Sequence, residues 1–389
     1  MDFDKVINRQ DTIARKWDKM DEVFGTNSLL PMWVADMDFE SPKEVIEAIR
    51  SRAEHGVFGY PFRSGTYFDS IIDWQQRRHG FDIDKDWIVC TPAVVTAISV
   101  AVQTFTNPGD KIIIQPPIYP PFFTCVNKNN RQVVENPLVF KSGHYEIDFE
   151  DLERKITPEV KMLILCNPHN PVGRAWGTDE LRKLGEICLK HGIIILSDEM
   201  HCDLVFNPQK HVPLASISSE ISRKTITFIS PAKTFNLAGF YNSITVIPDD
   251  ILRKRFFEAM DNLELLHGNL FGIVALEAAY KHGEKWLDDL LLYLEGNANY
   301  LTHFLKNEIP KIKASKPEAT FLAWLDCRAL NMTPDELKEF WINKAKVAVN
   351  DGSTFGKQGE GFVRLNFGCT RARLEEGLQR IKYAVENLK

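Results

Sequence analysis

Polar side chains follow three apolar, strand-like segments of this chain at the point where each segment ends. Asn170 comes shortly after KMLILC, Asp198 directly after GIIILS, and Lys233 shortly after KTITFI. The carboxyl ends of parallel strands meet at one crevice of an open α/β sheet. We therefore expect an amide, a carboxylate and an amine to share one site.

Each of these residues also has a purely structural interpretation. Asn170 could cap its own backbone in the tight turn CNPHNPVGR, and Lys233 could be a surface residue. Asp198 could begin a helix, or it could ligate a metal together with Glu199 and His201. No second cluster of histidines and carboxylates follows nearby, so the sequence gives little support to a metal site, and we predict none.

A fourth candidate is the start of a helix predicted over 93–106, in CTPAVVTAIS. Free backbone N–H groups at a helix start bind anions, and the helix dipole reinforces them. The alternative is an ordinary helix entry after a Thr-Pro turn. With a phosphate here, the four features together ask for a ligand that also carries a hydrogen-bonding oxygen, a basic nitrogen and an aldehyde. Pyridoxal phosphate meets all four demands, with its aldehyde bound to Lys233 and its ring nitrogen paired with Asp198.

The elements that must position these residues alternate between strand-like and helical patterns through the middle of the chain. Continuous apolar runs such as KIIIQ and GIIILS are typical of strands covered on both faces. A long helical pattern covers about 251–307, and a further helix is predicted over 333–345. The alternation predicts an α/β fold with a mostly parallel sheet, followed after about residue 285 by a smaller α+β region.

Several motifs in this order resemble one known superfamily. The chain resembles the fold-type I aminotransferases that use pyridoxal phosphate, and the motifs that carry this resemblance are NPxNPxGR, SDE, SPAKTFNLAG and RLNFGCTR. Within them, LLPMWVADMDFESP, FGYP and PPIYPPF are similar to cystathionine β-lyases of the MalY/PatB type, and the resemblance runs from about residue 5 to the C-terminus. It implies a mostly parallel seven-stranded sheet between helices, in a large cofactor-binding domain over 51–284. It further implies a small α+β domain from the two chain ends, 1–50 and 285–389.

The resemblance also implies a role for individual residues. Lys233 corresponds to the lysine that binds the cofactor covalently, Asp198 pairs with the ring nitrogen, and Asn170 contacts the phenolic oxygen and the substrate side. Tyr119 corresponds to an aromatic residue that stacks on the ring, although it could be a core aromatic. Arg364 corresponds to the arginine that binds the substrate α-carboxylate, although a surface ion pair is the alternative.

The resemblance implies further cofactor contacts, of which the backbone contacts and Ser230 would hold the phosphate. They are the backbone of Ala93, Val94 and Val95, the side chains of Ser230 and His201, and Tyr60. Tyr60 would reach the phosphate or the substrate in a neighbouring subunit, which implies a homodimer. Ala93 replaces a glycine that is frequent in the family, and a negative φ would accommodate it.

The family resemblance implies a carbon–sulfur β-lyase of EC 4.4.1 type in cysteine and methionine metabolism. Such an enzyme converts L-cystathionine and related cysteine S-conjugates into a thiol such as homocysteine, pyruvate and ammonia. Lys233 is the expected base at Cα, and Lys233 or Tyr119 the proton donor to sulfur. An aminotransferase of class I/II would use the same residues. A regulatory protein that binds a transcriptional activator through its surface is an alternative of another class.

The composition agrees with these expectations. The chain has 389 residues, of which 44% are hydrophobic and 26% charged, and its formal net charge is −6. That charge offers no bulk attraction to nucleic acid or to an anionic membrane, and no apolar run is long enough to span a bilayer. The 7 cysteines include no CxxC pair, which predicts a reducing compartment. The charged N-terminus does not resemble a secretory signal, and we expect a cytoplasmic protein.

Overall fold

Apolar, β-branched segments form the strands of this computed structural model, which describes residues 2–141 and 143–388. The strands are β1 (Leu30–Pro31), β2 (Ile88–Thr91), β3 (Lys111–Ile114), β4 (Gln132–Glu135), β5 (Val139–Lys141), β6 (His144–Glu146), β7 (Val160–Cys166), β8 (Ile194–Asp198), β9 (Thr225–Ile229), β10 (Ser243–Val246), β11 (Lys313–Ala314), β12 (Leu322–Asp326), β13 (Val347–Ala348), β14 (Asn350–Asp351) and β15 (Phe362–Asn366).

The α-helices surround these strands and begin mostly at Ser, Thr, Asp, Asn or Gly caps. They are α1 (Arg15–Asp18), α2 (Met20–Phe24), α3 (Lys43–Glu54), α4 (Gly65–His79), α5 (Val94–Phe105), α6 (Pro121–Asn127), α7 (Phe149–Lys155), α8 (Thr178–Lys190), α9 (Ser219–Ser222), α10 (Pro231–Thr234), α11 (Asp250–Asn262), α12 (Leu270–His282), α13 (Glu284–Glu308), α14 (Pro334–Glu339) and α15 (Arg371–Glu386). Within the described residues, none of the helices has both the length and the apolar character needed to cross a bilayer.

The large sheet has 7 strands in the order β2-β10-β9-β8-β7-β3-β4, which confirms the predicted seven-stranded sheet. All neighbouring pairs are parallel except those of β10, which runs antiparallel to both β2 and β9. The edge strand β4 lay outside the apolar segments noted in the sequence. Its residues are exposed or half-buried, so it lacks the continuous apolar run of a central strand.

Alternate residues of the central strands enter two hydrophobic cores, one on each face of the sheet. In β3, Ile112 and Ile114 belong to the core that also contains residues of α5, whereas Ile113 belongs to the core beneath α8. This alternation follows from the two-residue period of a strand. Because both faces are covered, ligands can reach the sheet only at the ends of its strands.

Three neighbouring strands end at the same level. Cys166 of β7 is paired with Asp198 of β8, and Asp198 is paired with Phe228 of β9. The segments that follow these strands therefore begin side by side. This register is what brings residues from three distant parts of the sequence to one edge.

Two predicted helical stretches are divided in the structure. The pattern over 251–307 forms α11, α12 and α13, because the side chain of Asn269 caps α12 and Gly283 separates α12 from α13. The helix predicted over 333–345 is α-helical only in α14, and it continues as a π-helical turn over Phe340–Ala345.

The C-terminal region forms a second sheet with the order β11-β12-β15-β14, in which neighbouring strands are antiparallel. Near the other end of the chain, β1 pairs in parallel with β13. The N-terminal segment is thus joined to the C-terminal region by main-chain hydrogen bonds. This agrees with the predicted smaller α+β region.

Candidate active site

A cavity of about 240 Å³ lies at the carboxyl ends of β7, β8 and β9. The structure brings Asn170, Asp198 and Lys233 together in its lining, as the strand-end argument predicts. Six further predicted residues line the same cavity: Ala93, Val94, Val95, Tyr119, His201 and Ser230. Arg364 lies one hydrogen bond behind the cavity, and Tyr60 lies outside it.

Lys233 is held in place by the short helix α10, which begins two residues after β9. The Ser230 side chain caps this helix by accepting a hydrogen bond from Ala232 N at 3.1 Å. Lys233 Nζ donates a hydrogen bond to the Ala35 carbonyl at 2.6 Å. Burial lowers the pKa of Lys233 to about 8, against the opposing effects of Asp36 and Asp198, while Arg364 lowers it further. About a tenth of this amine is therefore neutral and nucleophilic at pH 7.

Asp198 is the last residue of β8 and is buried. Its Oδ1 accepts a hydrogen bond from Met200 N at 3.1 Å. Burial raises the pKa of Asp198 to about 7, although that hydrogen bond and the charge of Lys233 favour the ionised form. A buried carboxyl of this kind is stabilised by a positively charged ligand group.

Arg364, on β15, is a buried cation that is 5% exposed and contacts only neutral acceptors. Its Nη1 donates to Asn170 Oδ1 at 3.1 Å, and its Nη2 donates to Trp33 O at 3.0 Å and to Asn350 Oδ1 at 2.7 Å. Among the described residues, its Nε has no hydrogen-bond partner. Burial lowers the pKa of Arg364 to about 10. The Asn170 side-chain oxygen binds the guanidinium, which leaves the side-chain NH₂ of Asn170 as the group that can donate to a ligand.

Two further side chains in the cavity are neutral. Burial, followed by the charge of Asp198, raises the pKa of Tyr119, so its hydroxyl keeps its proton. Burial and the cations Lys233 and Arg364 lower the pKa of His201 well below its usual value. His201 Nδ1 is buried without a hydrogen-bond partner. A ligand oxygen or nitrogen could satisfy it.

The helix α5 begins at the cavity without a side-chain cap. Ala93 precedes it with φ −158° and ψ 149°, an extended conformation that any residue adopts, so the absence of glycine causes no strain. The backbone here suits an anion. Ser230 also lines the cavity, and its hydroxyl donates to Asn242 O at 2.7 Å, which connects α10 to the start of β10.

The sequence did not indicate the part played by residues 33–39, WVADMDF, which we call the strap. Side chains from distant parts of the chain bind its main-chain groups. Asn236 binds the N–H and the carbonyl of Met37, and Asn366 donates to the carbonyls of Val34 and Asp36. Because these contacts use backbone atoms, the side chains of the strap gave no signal. The asparagines in TFNLAG and RLNFG, close to Lys233 and Arg364, were the signal available.

Tyr60 is fully exposed, with a relative exposure of 102%. It belongs to an extended segment in which Val57, Phe58 and Phe62 are also more than half exposed, at 63%, 59% and 82%. The chain by itself therefore does not bring Tyr60 to its own cavity.

A larger cavity, of about 830 Å³, lies between the β5–β6 hairpin, α13 and the strands β11 and β12. None of the predicted site residues lines it. The smaller cavity at the strand ends is the candidate site, because the polar groups converge there.

Comparisons with known proteins agree with this geometry. The family described as aminotransferase class I and II matches residues 29–381. The chain is 47% identical to cystathionine β-lyase PatB of Bacillus subtilis (strain 168), covering 99% of this chain and 100% of that protein. It is 33% identical to protein MalY of Escherichia coli (strain K12), covering 99% of this chain and 98% of that protein.

Solved structures give the same result. Cystalysin from Treponema denticola, whose crystal structure contains a pyridoxal 5′-phosphate cofactor, superposes with a TM-score of 0.97. It is 38% identical, and the alignment covers 100% of this chain and 99% of cystalysin. The similarity therefore extends over the whole fold and includes every element that lines the cavity.

Proposed function

The chain belongs to the aminotransferase class I and II family, and from this premise we propose that it is a pyridoxal-phosphate-dependent carbon–sulfur β-lyase. Its proposed substrates are L-cystathionine and related cysteine S-conjugates, and its products a thiol such as homocysteine, pyruvate and ammonia. The observation that carries the proposal is the convergence of Lys233, Asp198 and Asn170 in one cavity. The similarity to the cystathionine β-lyase of Bacillus subtilis favours this reaction over transamination.

The residues present fit the cofactor. Residues that line the cavity carry orphaned groups: His201 Nδ1 lacks a partner among the described residues, and α5 starts without a side-chain cap. Lys233 would hold the aldehyde carbon, Asp198 the ring nitrogen, and Asn170 the phenolic oxygen. Three further contacts are proposed: Tyr119 against the ring, His201 near the phenolic oxygen, and the start of α5 with Ser230 at the phosphate. When bound, pyridoxal phosphate supplies an aldehyde for amines and a ring that accepts electrons from Cα.

Arg364 is the proposed partner of the substrate α-carboxylate. Its buried guanidinium contacts only neutral oxygens, so an incoming carboxylate would meet an uncompensated charge. A charge-assisted pair of this kind is strong and directional. Because Asn170 binds Arg364 and lines the cavity, it would align substrate and cofactor with each other.

Lys233 is the proposed base that removes the Cα proton. Its lowered pKa, about 8, leaves part of the amine able to accept a proton near neutral pH. Proton transfer to the departing sulfur is open to two groups, Lys233 after it has taken the Cα proton, and Tyr119. The raised pKa of Tyr119 keeps its proton available for this purpose.

The test of this function is the release of pyruvate and a thiol from L-cystathionine by the reconstituted protein without any keto acid. Transamination would instead require a keto-acid acceptor and would leave the carbon–sulfur bond intact. Pyruvate release that depends on added keto acid, or none at all, would overturn the lyase proposal.

We further propose that the protein acts as a homodimer in which Tyr60 completes the neighbouring site. The exposed apolar segment around Phe58 and Phe62 supports this arrangement, because such a surface is typical of an interface. Mixing Tyr60→Ala and Lys233→Ala proteins provides the test. Random exchange places an intact site in about a quarter of all positions, so activity should recover to about that fraction. No recovery after proven exchange would contradict a shared site.

We also infer a cytoplasmic location and a two-domain organisation. All 7 cysteines are buried free thiols, as expected in a reducing compartment. The proposed large domain spans 51–284, and the small domain combines 1–50 with 285–389. The pairing of β1 with β13 supports the assignment of the N-terminal segment.

A further inference from the structure

Two buried carboxylates lie directly behind Asp198 and Lys233, and the proposed reaction uses neither. Glu199 follows Asp198 in the chain and is 1% exposed, and Asp203 is 3% exposed. A buried carboxylate is costly unless its oxygens are hydrogen-bonded. Both residues satisfy this condition completely, and each does so next to a group proposed to contact the cofactor.

Glu199 accepts three hydrogen bonds. Ser197 Oγ at 2.8 Å and Leu214 N at 3.1 Å donate to Oε1, and His211 Nε2 at 2.8 Å donates to Oε2. Three donors satisfy the carboxylate oxygens. His211 is neutral, because burial lowers its pKa against the opposing influence of Glu199. The Glu199 carboxylate lies one residue away from Asp198 and, in addition to burial, raises the pKa of Asp198.

Asp203 is bound in the same manner. Trp74 Nε1 at 3.0 Å and His79 Nε2 at 2.8 Å donate to Oδ1, and Thr234 Oγ1 at 2.7 Å donates to Oδ2. Thr234 is the residue after Lys233 and the last of α10. Asp203 thus fixes the helix that carries the reactive lysine.

The surroundings of Glu199 and Asp203 are in contact through two histidine rings, His211 beside Glu199 and His79 beside Asp203. The ring centroids of His79 and His211 are 5.1 Å apart, with the ring planes at 83°. Potential metal-ligand atoms of His79, Cys202 and Asp203 also lie within 4.8 Å of one another. Asp203 already accepts three hydrogen bonds, and burial raises the pKa of the Cys202 thiol well above its usual value. These features favour a hydrogen-bond network over a metal site.

We propose that Glu199 and Asp203 are positioning residues for the cofactor site. Glu199 acts through its negative charge next to Asp198, and Asp203 acts through the hydrogen bond that it accepts from Thr234. The charge of Glu199, which together with burial raises the pKa of Asp198, adds negative potential at the pair that Asp198 would form with the ring nitrogen and so favours the proton that this pair shares. The hydrogen bond to Thr234 orients Lys233 for attack on the aldehyde. This inference rests on the proposed cofactor, and its tests measure binding and attachment separately from turnover.

The Glu199 part is tested by the affinity of the apoprotein for pyridoxal phosphate and for its 1-deaza analogue, which lacks the ring nitrogen. Glu199→Gln preserves the shape of the side chain and removes its charge. We expect this substitution to raise the Kd for pyridoxal phosphate about tenfold, the equivalent of one pKa unit, and to leave the Kd for the analogue nearly unchanged. Equal weakening of both ligands would reduce Glu199 to a structural role and overturn this part.

The Asp203 part is tested by the rate at which Lys233 becomes attached to pyridoxal phosphate, trapped by borohydride and quantified by mass spectrometry. Thr234→Val removes the hydroxyl and should slow attachment about five- to tenfold, whereas Thr234→Ser should retain the rate, because its hydroxyl still reaches Asp203. Equal rates in all three proteins would overturn the assignment.

Two controls separate these outcomes from other failures. Asp151→Asn alters a buried acid in α7 that does not line the cavity, and it should change neither readout. If Glu199→Gln does not fold, Ser197→Ala removes one of the donors to Glu199 and should shift ligand selectivity in the same direction, by less; no shift counts against the proposal. A wild-type protein that fails to bind pyridoxal phosphate would instead refute the proposed function.

Discussion

Buried cations occur in two regions of this molecule with opposite surroundings. In the Asp38 cluster, defined as Arg9, Lys16, Asp36, Asp38 and Arg373, three cations bind two carboxylates. The Asp38 carboxylate by itself forms ion pairs with Arg9 Nη1 at 2.8 Å, Lys16 Nζ at 3.1 Å and Arg373 Nη1 at 2.9 Å. Arg364 is buried like Lys16 of that cluster, but its hydrogen bonds go only to neutral oxygens and its guanidinium lies over the Phe355 ring.

The difference shows how to separate structural charges from functional ones. A paired charge is satisfied within the fold, and its removal exposes its partners to an unfavourable environment. A buried cation without a counter-ion is costly in the free protein, and the cost is relieved when an anionic ligand binds. We therefore expect substitutions in the Asp38 cluster to affect stability and substitutions of the lone cations to affect the reaction.

The largest effect is expected from Lys233→Ala, which removes a second cation of the site that has no close carboxylate partner among the described residues. Turnover should fall by about 10³-fold or more, because both cofactor attachment and the base at Cα are lost. The visible absorbance of the attached cofactor should disappear as well. Stability in urea should stay close to that of the apoprotein. Normal lyase rates in the Lys233→Ala protein would contradict the proposed mechanism.

Arg364→Leu should lower kcat/KM for L-cystathionine by about 10²-fold, because a charge-assisted pair with the α-carboxylate is lost. The free energy of unfolding should change little, because removal of an uncompensated buried charge offsets the loss of three hydrogen bonds to buried acceptors. Arg364→Lys is the matched control, because it keeps the charge but cannot form the bidentate pair, and its activity should lie in between. Lost stability with unchanged kcat/KM would place Arg364 among the structural charges.

Asp38→Asn should reverse this pattern. It leaves three cations without their shared carboxylate and should cost about 3 kcal/mol in urea unfolding at neutral pH. The kcat/KM of the folded protein should stay within a few-fold of wild type. Glu40→Gln is the surface control: its pair with Lys5 is solvent-exposed, so its effect should be below about 1 kcal/mol.

The same cluster predicts how stability depends on pH. Burial favours the protonated form of Asp38, but Lys16, Arg373 and Arg9 outweigh it and lower the pKa to about 2. A depressed pKa in the folded state gives stability that is present above the unfolded value of about 3.9 and is lost as the pH falls towards 2. Asp38→Asn should flatten the unfolding curve in that window. An unchanged slope would mean that Asp38 does not carry this linkage.

The smallest expected effect concerns the influence of Arg364 on Lys233. Attachment of pyridoxal phosphate should slow about tenfold per pH unit below the Lys233 pKa, which is about 8. Because Arg364 lowers that pKa, Arg364→Leu should move the midpoint upward by less than about one pH unit. Rates of borohydride-trapped attachment between pH 6 and 9 measure the shift. A downward movement would contradict the electrostatic account.

The sequence predicted the parts of the site that follow from strand geometry. Asn170, Asp198 and Lys233 each come after an apolar run, and neighbouring parallel strands must end at one edge. The family resemblance then predicted the seven-stranded sheet and Arg364. The edge strand β4 was missed, because half-exposed residues give no continuous apolar run.

The remaining parts depend on contacts between residues far apart in sequence. Lys233 binds a main-chain carbonyl 198 positions away, and a carbonyl has no residue-specific signal. The environment of Glu199 is set by His211 and Leu214, which a loop folds back onto it. The proposed role of Tyr60 depends on a second copy of the chain, because Tyr60 is exposed in the single chain and does not reach its own cavity.

The strap has a consequence for how this protein can vary during evolution. Distant side chains hold it through backbone atoms at Val34, Ala35, Asp36 and Met37, so these particular contacts do not depend on the side chains at those positions. A single inserted or deleted residue would move the following main chain by about 3.3 Å and break several contacts at once. Selection should therefore act on the length of the strap in addition to the identities of Asp36 and Asp38, whose side chains bind the cations of the Asp38 cluster.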